Sequence, residues 1–223
     1  MMTSTAAARP RRRYPRGEGE RLRADILAAA KGLLADTGDV DSVSIRLVAD
    51  RVGVSTPSIY HHFEDKAALI TAVCEDVFAE LDRRMQEAVE GIDDPFDALR
   101  ERGLAYCRFA LANPEHYRIV MMSLPHEGES FTAHDLVAGP TFEHLIASVV
   151  ACQESGAFPA AEDPTTIAMA LWASVHGAVS LVLTKPGIAG DDPLAFCAMV
   201  LEATGTGIAV SHLPEFQKMH AQD

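Results

Sequence analysis

Apolar residues recur at helical spacing along most of the chain. Residues 20–36 carry a one-sided apolar stripe, and Ile45, Val48, Ala49 and Val52 follow one another at positions i, i+3, i+4 and i+7. This spacing places apolar side chains on one face of an α-helix. The sequence contains no convincing run with the two-residue period of a β-strand and no tandem repeat. The pattern therefore predicts an all-α protein.

Capping and turn residues mark where the first helices begin and end. Ser44 can cap the second helix, and Gly53 interrupts the chain after it. Ser55 can cap a third, short helix with Pro57 in its first turn, where a missing N–H does little harm. Asp65 can cap a long fourth helix. The segment therefore predicts two short helices joined by a tight turn, followed by a long helix.

The clearest boundary in the chain is residues 91–95, which contain a glycine, two aspartates and a proline. Beyond it, we expect helices at residues 96–112, 115–124, 133–154 (either continuous or interrupted at residues 139–140), 165–184 and 193–205 or slightly further. The predicted organisation is a basic flexible arm at 1–18, a three-helix helix-turn-helix domain at 19–66, a connecting helix at 67–92 and a second helical domain at 93–223.

The segment from residue 44 to residue 63 matches the geometry of a DNA-binding helix-turn-helix. Ile59 and Phe63 lie four residues apart, so both would face the core. The opposite arc of the third helix would then present small, polar and aromatic side chains to a major groove. A plain three-helix packing motif is the alternative that this pattern alone leaves open.

The run from Val48 to Phe63 (VADRVGVSTPSIYHHF), together with the following Lys66 and Leu69, resembles the N-terminal domain of the TetR family of bacterial repressors. The resemblance covers about residues 20–75 and includes the Gly-Val-Ser turn and the Tyr-x-x-Phe spacing. It implies a homodimer, a palindromic operator in double-stranded DNA, and a small-molecule pocket in a C-terminal domain that also dimerises. No cofactor is implied.

The resemblance also implies which side chains contact DNA. Tyr60 and Lys66 fall on phosphate-contacting positions of the family, and residues 56–58 fall on its more variable base-reading positions. The operator sequence therefore cannot be deduced from them. The implied DNA-contacting set is Arg46, Ser55, Thr56, Pro57, Ser58, Tyr60, His61 and Lys66.

The distribution of charge agrees with a local DNA-binding surface. The net charge is −13, but residues 1–66 hold 11 basic and 9 acidic residues, whereas residues 67–223 hold 8 and 23. An acidic body would repel phosphates and leave only the N-terminal end able to dock. The arm carries Arg9, Arg11, Arg12 and Arg13, which either enter the minor groove next to the operator or attract phosphates diffusely.

No formally charged residue occurs in residues 167–183. This stretch is shorter than the roughly 20 residues that span a bilayer, so we expect no membrane span. A soluble helix buried on two faces, one against its own domain and one against a partner subunit, explains it better. Ala173, Gly177 and Ser180 are small enough for close helix approach and are the predicted dimer-interface residues.

Trp172, His176 and Gly177 resemble a Trp-x-x-x-His-Gly signature of one TetR subgroup. The imidazole of His176 either is satisfied inside the core or contacts a ligand. Aromatic and methionine side chains suit an adaptable apolar pocket, so we expect an apolar or amphipathic ligand with little charge, with a cation as the alternative. The predicted pocket residues are Tyr106, Phe109, Met121, Met122, Phe131, Phe142, Met169, Trp172 and His176.

Other classes of protein fit less well. The chain has no Gly-rich phosphate loop, nucleophile elbow or metal-ligand spacing, so no enzyme and no metal site is predicted. Its four cysteines are dispersed, and no signal-peptide pattern is present, which predicts free thiols in the cytoplasm. The sequence therefore predicts a repressor released from a palindromic operator by a small molecule. A constitutive or protein-controlled transcription factor, either an activator or an adaptor, is the alternative.

Overall fold

The computed structural model describes residues 18–122, 139–185, 187–211 and 213–216, without the side chains of Ile119 and Met122. Within these ranges the chain forms nine α-helices and no strand, which confirms the all-α prediction. The helices are α1 (Gly19–Thr37), α2 (Ile45–Val52), α3 (Thr56–Tyr60), α4 (Lys66–Val89), α5 (Pro95–Ala112), α6 (Pro114–Met122), α7 (Pro140–Glu154), α8 (Pro164–Thr184) and α9 (Pro193–Val210).

The described residues form two compact units. Residues 18–77 and 115–122 make up the first, and residues 78–114 and those from 139 onward make up the second. Helices α1, α2 and α3 belong to the first unit, and α5, α7, α8 and α9 belong to the second. The domain limits expected from the sequence, at residues 18, 66 and 92, stay a prediction.

Local interactions explain where the helices of the first unit begin and end. Helix α2 starts at Ser44, whose hydroxyl accepts a hydrogen bond from the Leu47 N–H at 3.3 Å. It ends at Gly53, whose φ of 82° lies in the left-handed region that favours glycine. Asp65 caps the next helix, accepting from the Ala68 N–H at 2.8 Å. These three signals are confirmed.

One predicted cap is wrong. Ser55 stands at the N-terminal cap of α3, but its hydroxyl makes no capping bond. It lies 2.7 Å from the hydroxyl of Ser58. The two serines are three residues apart, so the first turn brings their hydroxyls together, and each satisfies the other instead of a backbone N–H.

The core of the second unit contains the buried residues Leu99, Phe142, Val149, Phe158, Ile167 and Leu171. Phe158 is 2% exposed and meets the ring of Phe96 edge-on, with ring centroids 5.9 Å apart. Helices α5 and α9 approach closely at Gly103, where an added Cβ would lie 2.8 Å from a methyl carbon of Leu201. The cysteines are free thiols, and Cys107, Cys152 and Cys197 are buried, as predicted.

By length and composition, α8 and α9 could each cross a membrane. The core helix of a soluble protein can be equally long and apolar, but it is mostly buried. Among the described residues, only 33% of the most apolar 18-residue stretch of α8 is buried, and only 11% of that of α9. Met169 and Leu181 on α8 and Met199 on α9 are among the exposed large apolar residues. The single chain therefore leaves apolar surface on both helices uncovered.

Candidate nucleic-acid interface and ligand-binding unit

Helix α3 is held in place by Ile59 on its inner face and by Phe63, which lies beyond the end of the helix at Tyr60 and not on the helix itself, where the sequence had placed it. It has only five residues, too few to be stable in isolation. Ile59 is completely buried and Phe63, four residues later, is 4% exposed, as the spacing predicted. The guanidinium of Arg23 on α1 lies over the Phe63 ring, 5.2 Å from its centroid. Packing from one side therefore fixes the orientation of α3 and leaves its other side open.

The open side of α3 carries the side chains expected to contact DNA. Tyr60 is 53% exposed, Pro57 and His61 are also exposed, and Thr56 and Ser58 are half-buried. This arrangement brings predicted base-reading and phosphate-contacting residues to one surface. Their contacts with DNA stay a prediction.

Two further residues of the predicted DNA-contacting set, both basic, form weak ion pairs. The Lys66 ammonium lies 3.9 Å from a carboxylate oxygen of Asp41, and Arg46 lies 4.0 Å from Asp50. Surface pairs of this kind contribute little to stability. Both cations can therefore exchange their partner for a phosphate at small cost. The arginines of the arm, Arg9, Arg11, Arg12 and Arg13, lie outside the described residues.

In the second unit, three of the predicted pocket residues meet. The Tyr106 hydroxyl lies 3.3 Å from Nδ1 of His176, and the Ser180 hydroxyl lies 3.4 Å from Nε2 of the same ring. Trp172 stacks on His176 with ring centroids 5.2 Å apart. Because both ring nitrogens have hydroxyl neighbours, the geometry favours the internally satisfied histidine over one reserved for a ligand.

The other predicted pocket residues are more dispersed. Phe109 and Phe142 are buried, and Phe142 belongs to the core cluster. Met121 is in the first unit, and the side chain of Met122 and all of Phe131 lie outside the described part of the chain. Met169 lines an open groove on α8 with Ala173, which is a predicted interface residue. The composition of the ligand pocket therefore stays a prediction.

Arg102 is a candidate site residue that the sequence reasoning missed. On α5, the positions of Leu99, Arg102, Tyr106 and Phe109 follow helical spacing, and all four side chains are buried. An arginine within an otherwise apolar stripe is unusual, because charged side chains are rarely buried without a partner. That irregularity was visible in the sequence and is the signal that could have found it.

The half-buried imidazole of His176 predicts a pH dependence of stability. Burial lowers the pKa of His176 below its ordinary value of 6.5, so the unfolded chain binds a proton before the folded chain does. This contribution to stability is therefore present above the unfolded pKa and is lost as the pH falls below it. Between pH 7.5 and pH 5.5, the thermal midpoint should fall further for wild type than for His176→Gln. Equal falls in two calorimetric series would show that the pKa of His176 is not lowered in the folded chain.

Comparisons with known proteins agree with this architecture. Residues 26–73 match the family described as bacterial regulatory proteins, tetR family, and residues 99–204 match the tetracyclin repressor-like C-terminal domain. A protein of unknown function from Rhodococcus sp. RHA1 has a solved structure with a TM-score of 0.72 and 25% identity. The match covers 84% of this chain and 95% of that one.

Two curated relatives come from Mycolicibacterium smegmatis. The transcriptional repressor KstR2 is 28% identical over 44% of this chain and 47% of its own length. The transcriptional activator FasR is 31% identical over 48% of each chain. This chain thus spans about half the length of both relatives.

The fold and the exposed short helix define a helix-turn-helix protein with a helical C-terminal unit. Matches to both the N-terminal and the C-terminal domain then identify the family: the chain belongs to the TetR family of bacterial transcription regulators. Members of this family are regulators and not enzymes, so the prediction of a non-enzymatic protein is confirmed.

Proposed function

We propose that this protein represses transcription by binding a palindromic operator as a homodimer, and that a small molecule releases it. The observation that carries the proposal is helix α3. Ile59 on the helix and Phe63 just beyond its end anchor its apolar side, while Tyr60 and the C-cap residue His61 remain exposed. A rigidly held, protruding helix of this kind can enter a major groove.

Repression and activation are both represented among the relatives, in KstR2 and FasR. Repression needs only that the bound protein excludes other proteins from the operator, whereas activation also needs a surface that recruits the transcription machinery. We therefore favour repression. A reporter gene placed behind the operator separates the two, because deletion of the regulator raises expression under repression and lowers it under activation.

The uncovered apolar faces of α8 and α9 support a homodimer. Met169, Ala173 and Leu181 are exposed on α8, and Met199 is 60% exposed on α9. Contiguous apolar surface is rare on soluble monomers and marks an interaction surface. A symmetric four-helix arrangement of these two helices and their copies would cover it. Two DNA-binding units would then face a palindrome.

Ligand release would act through the spacing of the two recognition helices. Both helices can dock only when the distance between them matches that between the two half-sites, which is one helical turn of DNA, about 34–36 Å. Helix α4 is the natural lever, because it contains residues of both compact units. A ligand near Tyr106, Trp172 and His176 would release DNA by favouring the conformation with the wrong spacing. The size of the effect is limited by how much more tightly the ligand binds that conformation than the DNA-binding one. We also propose that the chain belongs to the TetR subgroup with the Trp-x-x-x-His-Gly signature.

Replacing Lys66 by alanine tests the proposed docking of the first unit. Loss of one phosphate contact should weaken binding to every sequence alike and reduce the slope of log affinity against log salt by about one unit. Fluorescence anisotropy of the full-length protein on DNA from upstream of its own gene, at several salt concentrations, measures both quantities.

Lys185→Ala is the matched control, because Lys185 is exposed in the second unit. It should leave the salt slope unchanged. Thr56→Ala should instead change which operator is preferred, because a base-reading residue carries sequence information and a phosphate contact does not. An unchanged affinity and slope for Lys66→Ala would show that the assigned docking is wrong.

A further inference from the structure

Arg102 lies on α5 with its side chain inside the second unit. It is only 6% exposed, and its Nε and Nη1 atoms are buried without a hydrogen-bond partner in the part of the chain that the structure describes. The remaining nitrogen, Nη2, donates to the side-chain oxygen of Gln86 at 3.2 Å. A guanidinium carries five N–H donors, so most of its hydrogen-bonding capacity is unused.

No neighbouring group in the described chain neutralises this charge. Asp82 attracts the guanidinium but does not pair with it. The carboxylate of Asp82 instead lies 2.9 Å from Nδ1 of His144. Burial lowers the pKa of Arg102, but an arginine stays protonated in proteins. Among the described residues, the only hydrogen-bond partner of this buried cation is therefore a neutral amide.

A buried charge without a counter-charge is strongly unfavourable, and arginine cannot relieve it by losing its proton. We infer that Arg102 binds the anionic oxygens, carboxylate or phosphate, of the effector that acts on this protein. The effector would then be an acid with an apolar body, not the weakly charged molecule that the aromatic residues alone favour. This inference rests on the proposed ligand-released function.

The geometry of the guanidinium suits such a group. Its planar fork offers two edges, each with a pair of parallel N–H groups that can hold two oxygens of a carboxylate or phosphate. Gln86 uses one hydrogen of Nη2, so one complete edge remains. Tyr106 lies one turn further along α5, on the same face as Arg102. The apolar body of the ligand can therefore lie along Tyr106 while its acidic end reaches Arg102.

Small anions test this site without knowledge of the effector. Thermal melting of the full chain, without DNA, is compared in sodium acetate, sodium phosphate and sodium chloride at equal pH and ionic strength. Relative to chloride, acetate or phosphate should raise the midpoint of the wild type by about 2–4 °C, because binding to the folded state stabilises it. A larger response to acetate identifies a carboxylate, and a larger response to phosphate identifies a phosphate.

Arg102→Met keeps the length of the side chain and removes its charge. Its midpoint in chloride should equal or exceed that of wild type, because an unpaired buried charge has been removed, and its response to both anions should disappear. Arg108→Met is the matched control: Arg108 is an exposed residue of the same helix, so this variant should respond as wild type does. Failure of Arg102→Met to fold, or an undiminished anion response, would overturn the inference.

Operator binding is measured in parallel on the same three proteins in chloride. If wild type does not bind DNA while the anion response depends on Arg102, the proposed function fails and the anion site stands. If all three bind DNA and none responds to anions, the proposed function stands and the anion site fails.

Discussion

Replacing Ala173 by arginine should keep the proposed dimer from forming and weaken operator binding about 100-fold or more. Ala173 is exposed on α8 beside Met169, in the groove that the single chain leaves open. A charged side chain here would be buried against its symmetry mate without a partner, which is strongly unfavourable. Without the dimer, the second half-site no longer binds intramolecularly, and that advantage is typically about 10²–10⁴-fold.

Sedimentation velocity and anisotropy on a palindromic operator measure the two effects. Gly177→Leu should act in the same direction, because an added Cβ at Gly177 meets nothing within 4 Å among the described residues of its own chain. The thermal midpoint of this variant, measured alongside, should stay near that of wild type if its effect comes from the partner. Ala161→Arg is the control, since Ala161 is exposed in the connector between α7 and α8. A wild type that sediments as a monodisperse monomer would show that the interface assignment is wrong.

Replacing Ile59 by alanine should lower the free energy of unfolding of the first unit by about 2–5 kcal/mol, as for other buried isoleucines. Ile59 is completely buried and belongs to a helix of five residues that has little stability of its own. The empty space left by the side chain would free α3 from its fixed orientation. Operator binding should then fall by about tenfold or more, because α3 would have to become ordered on binding. Each 1.4 kcal/mol that this ordering costs lowers the affinity tenfold.

Tyr60→Ala provides the contrast on the neighbouring residue. Tyr60 is exposed, so its loss should leave the thermal midpoint nearly unchanged while operator affinity falls. Calorimetry and anisotropy on both variants separate anchoring from contact. If Ile59→Ala melts and binds like wild type, then α3 is not held by this side chain and the description of the first unit fails.

Much of the first unit could be predicted from local sequence. The stripe of Ile45, Val48 and Ala49 defines the inner face of α2, and Ser44 and Gly53 define its ends, because capping and a left-handed turn depend on residues a few positions apart. The spacing of Ile59 and Phe63 likewise predicted which side of α3 is buried. Interactions within one or two helical turns are set by helix geometry, so a single sequence is enough to predict them.

The tertiary structure decided what depends on residues distant in sequence. Spacing alone did not reveal that the Tyr106 hydroxyl would lie beside Nδ1 of His176, because the two residues are 70 positions apart and on different helices. It also did not reveal that Arg102 is buried beside Gln86 and unpaired with Asp82. The sequence by itself determined the class of protein and the faces of its helices. Only packing between helices decided which polar groups find partners inside, because hydrogen bonds and ion pairs are short-ranged and the distance between two helices is not encoded in either one.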